Sequence, residues 1–219
     1  MGKYKIILFD LDGTLTDPKV GITKSVQYAL NKMGIKEKNL ERMTCFIGPP
    51  IQVSFADYYG FNEEQTQTAI DHYRERYKEK GMFENELYKG ILPLLQSLKA
   101  QQYTLVVATS KLTVFAEEIL KYFQLDGYFD LVVGSNLDGT RSSKAEITQF
   151  VLNHYASHSS DEFVMIGDRK HDIIGANKTN IDSIAVCYGY GSIEELYDSK
   201  PTKIVETVEE LREFLVGLR

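Results

Sequence analysis

A chain of 219 residues with 43% hydrophobic and 26% charged side chains has the composition of a globular protein of one or two compact units, which excludes disordered and fibrous classes. A net charge of -6 argues against a broad footprint for a nucleic acid polymer or an anionic membrane, so an anionic ligand needs local cations or a metal. The two cysteines, Cys45 and Cys187, stand far apart in no metal or redox spacing, as in a reducing compartment.

The first apolar run, residues 6–9, is too short for a signal peptide or a membrane span, so the expected location is cytoplasmic. Residues 5–9 read as a strand, and 105–108, 131–133, 163–166 and 183–186 read likewise. Each run is apolar without alternation, as strands buried on both faces are. Helical patterns separate most of them, over residues 112–123 and 144–155 for example. This rhythm predicts an α/β fold, a Rossmann-like doubly wound parallel sheet.

About ninety residues between the first two strands carry no strand signal, far more than a crossover needs. Ile22, Val26, Ala29, Leu30 and Met33 repeat at helical spacing, as do Ile70, Tyr73 and Tyr77, and Pro49 and Pro50 break the pattern between them. An α-helical bundle is therefore expected over residues 16–83, inserted into a core made of 1–15 and 84–219, with residues 90–101 returning to the sheet as a helix.

In open parallel sheets ligands bind beyond the carboxyl ends of the strands. Here those positions hold Asp10-Leu11-Asp12-Gly13-Thr14, then Thr109-Ser110-Lys111, then Asp168 to Asp172, with Lys144 at the start of a helix. Gathered carboxylates repel one another, and a hard cation relieves the repulsion. Oxygen donors without clustered histidines or thiolates suit Mg2+, with the Asp10 and Asp168 carboxylates and the Asp12 backbone carbonyl as expected ligands. His72, His154, His158 and His171 show no ligand spacing.

The segment Asp10-Leu11-Asp12-Gly13-Thr14-Leu15-Thr16-Asp17 resembles the signature of haloacid dehalogenase superfamily phosphatases, and Ser110, Lys144 and the Asp168/Asp172 pair follow in that family's order. The resemblance covers essentially the whole chain. It implies that Asp10 is the nucleophile and that Asp12 is the general acid and base. Ser110 and Lys144 hold the phosphoryl group, and Asp172 orients Lys144 or a metal-bound water. Residues two apart on an extended chain face the same way, so Asp10 and Asp12 can address one phosphoryl group, while Gly13 lets the chain turn and Thr14 holds the turn. An aspartate at position 12 disfavours halide displacement.

Each assignment has a plainer alternative. Asp172 and Ser110 are good helix caps, Lys144 could be a solvated lysine, and Tyr58, Tyr59, Tyr73 and Tyr77 read first as core. Arg141, in Asp138-Gly139-Thr140-Arg141, reads equally as a contact for a substrate anion or as a turn residue. Thr14, Thr109, Ser110, Lys111, Gly48 and Arg141 form the expected substrate- and phosphate-binding set, and residues 46–50 of the inserted bundle are expected to set specificity.

The stretch from Tyr188 to Ser192 resembles phosphoglycolate phosphatase-like proteins and their 5'-nucleotidase-like relatives. The expected partner is a small phosphorylated metabolite, a nucleoside monophosphate or phosphoglycolate, and the expected assembly a monomer or homodimer. A phosphosugar mutase, a phosphonatase and a non-enzymatic phospho-acceptor of the receiver kind are the competing readings.

Overall fold

The computed structural model describes residues 3–217. Six strands form one parallel sheet: β1 (Ile6–Phe9), β4 (Thr104–Leu112), β5 (Leu131–Ser135), β6 (Phe163–Gly167), β7 (Asp182–Val186) and β8 (Lys203–Val205). They lie in the order β5-β4-β1-β6-β7-β8, so the chain moves outward to one edge, returns to the centre and moves outward again. That order is the doubly wound pattern, and its reversal point lies between β1 and β6.

Both faces of the sheet are covered. Ile7, Phe9, Val107, Val164 and Ile166 pack with α4 (Ile91–Ala100), α5 (Thr113–Tyr122) and α9 (Val208–Gly217). The alternate residues Ile6, Leu8, Val106, Ala108 and Met165 pack with α6 (Lys144–His154) and α7 (Lys170–Lys178). Burial of both strand faces explains why these runs lack polar alternation. A short helix, α8 (Ile193–Asp198), precedes β8. The β8 segment carries only three strand residues at the sheet edge, too few for a sequence signal, and was not among the expected strands.

Between β1 and α4 lie three α-helices, α1 (Lys19–Lys32), α2 (Ile51–Tyr59) and α3 (Glu63–Glu79). Pro50 is the residue before α2, where its fixed φ ends one segment and its missing N–H costs nothing. Helix α1 packs along α3, and Phe46, Phe55 and Phe61 pack against one another beside them. The interval is not free of strands: β2 (Thr16–Asp17) pairs antiparallel with β3 (Glu86–Leu87), tying together the segments that leave and re-enter the sheet. Two residues per strand give no periodicity to read.

Candidate active site

The reversal point of the sheet assembles the acidic residues. Register places Phe9 beside Ile166, and the Asp10 N–H donates to the Ile166 carbonyl at 2.9 Å, so the ends of β1 and β6 deliver Asp10 and Asp168 side by side. Gly13 has φ +83°, and a Cβ on it would stand 2.2 Å from an Asp168 carboxylate oxygen, so only glycine allows this turn to close on Asp168. The Asp168 carboxylate accepts from the Tyr190 N–H at 2.7 Å and lies 3.4 Å from the Thr14 hydroxyl.

Lys144 supplies the cation. A reciprocal cap between Ser143 and Glu146 starts α6, which puts Lys144 in the first turn with its side chain buried. Its ammonium pairs with Asp10 Oδ1 at 2.8 Å and Asp172 Oδ1 at 2.5 Å and donates to the Ala108 carbonyl at 3.0 Å. A cation at a helix N-terminus opposes the macrodipole, and the two carboxylates remove that conflict. Asp172 also caps α7, accepting from the Arg169 N–H at 3.1 Å. Asp172 thus caps α7 and pairs with Lys144 at the same time.

Burial and crowding shape the electrostatics. Burial, then the neighbouring Asp172 and Asp10, push the Asp168 carboxyl well above its usual range. Burial pushes Asp172 up to about 6 against the pull of Lys144. Burial also works against the charge on Lys144, but Asp10 and Asp172 outweigh it and raise the ammonium above its ordinary value. Carboxylate oxygens of Asp10, Asp168 and Asp172 lie within 4.8 Å of one another, all three residues buried. Crowded, desolvated oxygen donors of this kind fit a hard divalent cation, which would relieve the repulsion that raises Asp168 and Asp172.

Asp12 stands apart from that cluster. Its Oδ2 pairs with the Lys111 ammonium at 2.6 Å, while its buried Oδ1 has no hydrogen-bond partner. Burial raises its carboxyl, and Lys111 offsets part of the rise. Lys111 in turn contacts the Tyr77 hydroxyl of α3 at 2.5 Å. The ladder between β4 and β5 slips between Ala108 and Leu112, and this irregularity re-aims Thr109, Ser110 and Lys111 where the expected strand had already ended. The buried Ser110 hydroxyl also has no partner.

Asp10, Asp12, Thr109, Ser110, Lys111 and Gly48 all line one cleft of about 720 Å³, counting the space open to solvent at its mouth. Lys144, Asp168 and Asp172 are bonded or adjacent to Asp10 but do not line the cleft. Neither do two of the expected binding residues. Thr14 is fully buried against Asp168 because its hydroxyl is used inside the turn. Arg141, at φ 50°, donates to the Gly134 carbonyl at 2.9 Å and the Asn136 side chain at 3.0 Å, with its guanidinium over the Phe150 ring, so it acts as a loop brace.

Several participants had no sequence signal. Arg169 holds Glu195 at 2.9 Å and donates to the Ile47 carbonyl, joining the end of β6 to the segment before α2. Gly48, at φ +103°, leaves room for it, since a Cβ there would stand 2.6 Å from Arg169 Cγ. Arg169 lay inside the acidic motif, but a partner 122 positions away leaves no local pattern. The Tyr77–Phe115 contact, with ring centroids 5.5 Å apart, likewise joins the inserted helices to α5.

The family model of the haloacid dehalogenase-like hydrolases matches residues 7–186. A 5'-nucleotidase of Pseudomonas aeruginosa is 46% identical over 213 residues, 97% of this chain and 96% of its own. The tyrosine-protein kinase PtkA of Mycobacterium tuberculosis is 36% identical over 96% of this chain and 72% of its own. The crystal structure of a predicted phosphatase from Clostridium acetobutylicum superimposes with a TM-score of 0.94 at 50% identity, covering 98% of this chain and 99% of that one. With its acidic strand ends gathered at the reversal point of a doubly wound sheet, the chain belongs to the haloacid dehalogenase-like hydrolase family.

Proposed function

We propose that this hydrolase is a Mg2+-dependent phosphatase acting on a small phosphorylated metabolite through an aspartyl-phosphate at Asp10, with residues 16–83 as a cap over a core of 1–15 and 84–219. The observation that carries the reading is the ammonium of Lys144 held between Asp10 and Asp172, beside a cleft into which Asp12 and Ser110 bring unpartnered polar atoms. A P-loop or a histidine-bearing site would need other residues at the strand ends.

The Asp10 carboxylate attacks phosphorus as the bond to the leaving oxygen breaks, and the Asp12 carboxyl gives that oxygen its proton. Burial shifts the Asp12 carboxyl toward the protonated form that the first step uses, and Lys111 accommodates the carboxylate that results. Asp12 then takes a proton from the water that attacks the phosphoaspartate, which releases phosphate and regenerates Asp10. Ser110 and Lys144 carry charge on the transferring group, and Lys144 keeps Asp10 oriented throughout. Asp10, Asp168 and the Asp12 carbonyl would hold the magnesium, with Asp172 beside them; when bound it supplies positive charge to the phosphoryl oxygens.

The likeness to a 5'-nucleotidase supports a nucleoside monophosphate as substrate, and the Tyr188 region, which resembles phosphoglycolate phosphatase-like proteins as well as their 5'-nucleotidase-like relatives, keeps phosphoglycolate as the next candidate. A kinase relative transfers phosphoryl groups too, so it sits within the same class of chemistry. The test is phosphate release from nucleoside monophosphates, 2-phosphoglycolate, sugar phosphates and phenyl phosphate, with magnesium and with chelator. Magnesium-dependent multiple turnover is expected. A single stable phosphorylation without turnover would favour the phospho-acceptor reading, and an isomerised sugar phosphate the mutase.

A further inference from the structure

The arginines among the described residues are almost all held by a partner. Among the described residues, Arg42 pairs with Glu37 at 3.2 Å, Arg76 with Glu84 at 2.8 Å, Arg169 with Glu195 at 2.9 Å and Arg212 with Glu209, while Arg141 donates to the Gly134 carbonyl. Among the described arginines, the Arg74 side chain alone makes no hydrogen bond or ion pair, although it is half-buried and lines the cleft. Two positions further along the same helix, Arg76 is held by both Glu84 and Ser25, so α3 can satisfy a guanidinium where the fold needs one.

Gln52 of α2 is a second lining side chain with neither kind of partner among the described residues. The remaining lining that the helices α2, α3 and α5 contribute is apolar or aromatic: Ile51, Tyr73, Tyr77 and Phe115. A pocket of this make-up takes a ligand with apolar or planar faces and a few acceptor atoms at its edge. The only other cation in the lining, Lys111, is already committed to Asp12.

We infer that Arg74, with Gln52 as its companion, is the specificity-determining subsite for the leaving group, and that it takes acceptor oxygens carried there: a nucleobase carbonyl edge or a carboxylate. This rests on the phosphatase reading above and deepens it. A half-buried guanidinium left without a partner forfeits charge-assisted hydrogen bonds that a ligand oxygen restores, and its planar fork favours two parallel bonds over one.

The experiment compares kcat/KM of the wild type, Arg74→Ala, Arg74→Lys and Gln52→Ala on uridine and guanosine 5'-monophosphates, 2-phosphoglycolate and phenyl phosphate, with magnesium throughout. Phenyl phosphate has no acceptor on its leaving group and reports whether the site remains intact. The expected result is a loss of about ten- to hundredfold for Arg74→Ala on the preferred acceptor-bearing substrate, a smaller loss for Gln52→Ala, and phenyl phosphate within about twofold of wild type.

Arg74→Lys separates the two sources. An ammonium keeps most of the rate on a carboxylate, whereas it recovers little on a base read by the planar fork. Equal losses on all substrates, unchanged rates on all, or a wild type that prefers phenyl phosphate would each overturn the subsite while leaving the phosphatase reading intact. Absence of phosphate release from every substrate by the wild type would remove that reading, and this inference with it.

Discussion

The floor of the cleft and its helical roof are built on opposite principles. On the floor, Lys144 pairs with Asp10 and Asp172 and donates to the Ala108 carbonyl, and Asp168 is fixed by the Tyr190 N–H. The roof presents aromatic rings and two unpartnered polar side chains, Arg74 and Gln52, and reaches the core through a few specific contacts such as Tyr77 to Lys111 and Arg169 to Ile47. Chemistry that is the same for every phosphomonoester can be preorganised once, because positioning and fixed charge are what it requires. Recognition of the leaving group needs groups left open until substrate arrives.

If the floor is the chemical half, its losses are large and do not depend on substrate. Asp10→Asn should lower kcat by about 10³-fold or more on every substrate and abolish acid-stable trapping of a phosphoenzyme, since the amide does not attack phosphorus. Residual multiple turnover at near wild-type rate would take the nucleophile away from Asp10. Lys144→Met should cost about 10²- to 10³-fold in kcat, again uniformly, by removing charge from the transferring group. A loss confined to one substrate would move Lys144 from the floor to the recognition half.

The two halves also differ in how far a reader of the sequence gets. Asp10, Asp12, Ser110, Asp168 and Lys144 follow apolar strands or open a helix, so the rule that ligands bind beyond strand ends finds them without coordinates. Thr14 was found by the same rule but serves the turn, because its neighbour Gly13 folds it under Asp168. Roof contacts escape because they join distant positions: Tyr77 meets Lys111 across 34 residues and Arg169 meets Ile47 across 122. Arg74 escapes for another reason. Its sequence neighbours are Tyr73 and Glu75, and only the absence of a partner in three dimensions separates it from Arg76.

A smaller effect probes the carboxylates on which the floor rests. Burial raises Asp172 to about 6 and raises Asp168 as well, so in this fold both bind protons more tightly than in the unfolded chain. Stability of the metal-free protein therefore falls as pH rises through that range, the opposite of a carboxylate held by a salt bridge. With chelator, the midpoint of thermal unfolding should drop by several °C from pH 5.5 to pH 8, and magnesium should flatten the slope. A midpoint that rises with pH in chelator would show that Lys144 dominates both carboxyls. Equal slopes with and without magnesium would remove the cation from this cluster.

The least effect is expected where floor and roof touch. Tyr77→Phe keeps the ring against Phe115 and beneath the Lys111 ammonium, which stands 4.5 Å from the Tyr77 centroid, and removes only the hydroxyl at 2.5 Å. Lys111 then retains Asp12 as its ion-pair partner, so Asp12 keeps its neighbour and loses one anchor of that neighbour. A fall in kcat of about two- to tenfold is expected, the scale of one hydrogen bond, shared by phenyl phosphate and nucleotide alike. A loss seen with nucleotide alone would assign the Tyr77 hydroxyl to leaving-group recognition with Arg74. A loss as large as that of Lys144→Met would mean that the roof completes the catalytic floor, and the division between the two halves would have to be redrawn at Lys111.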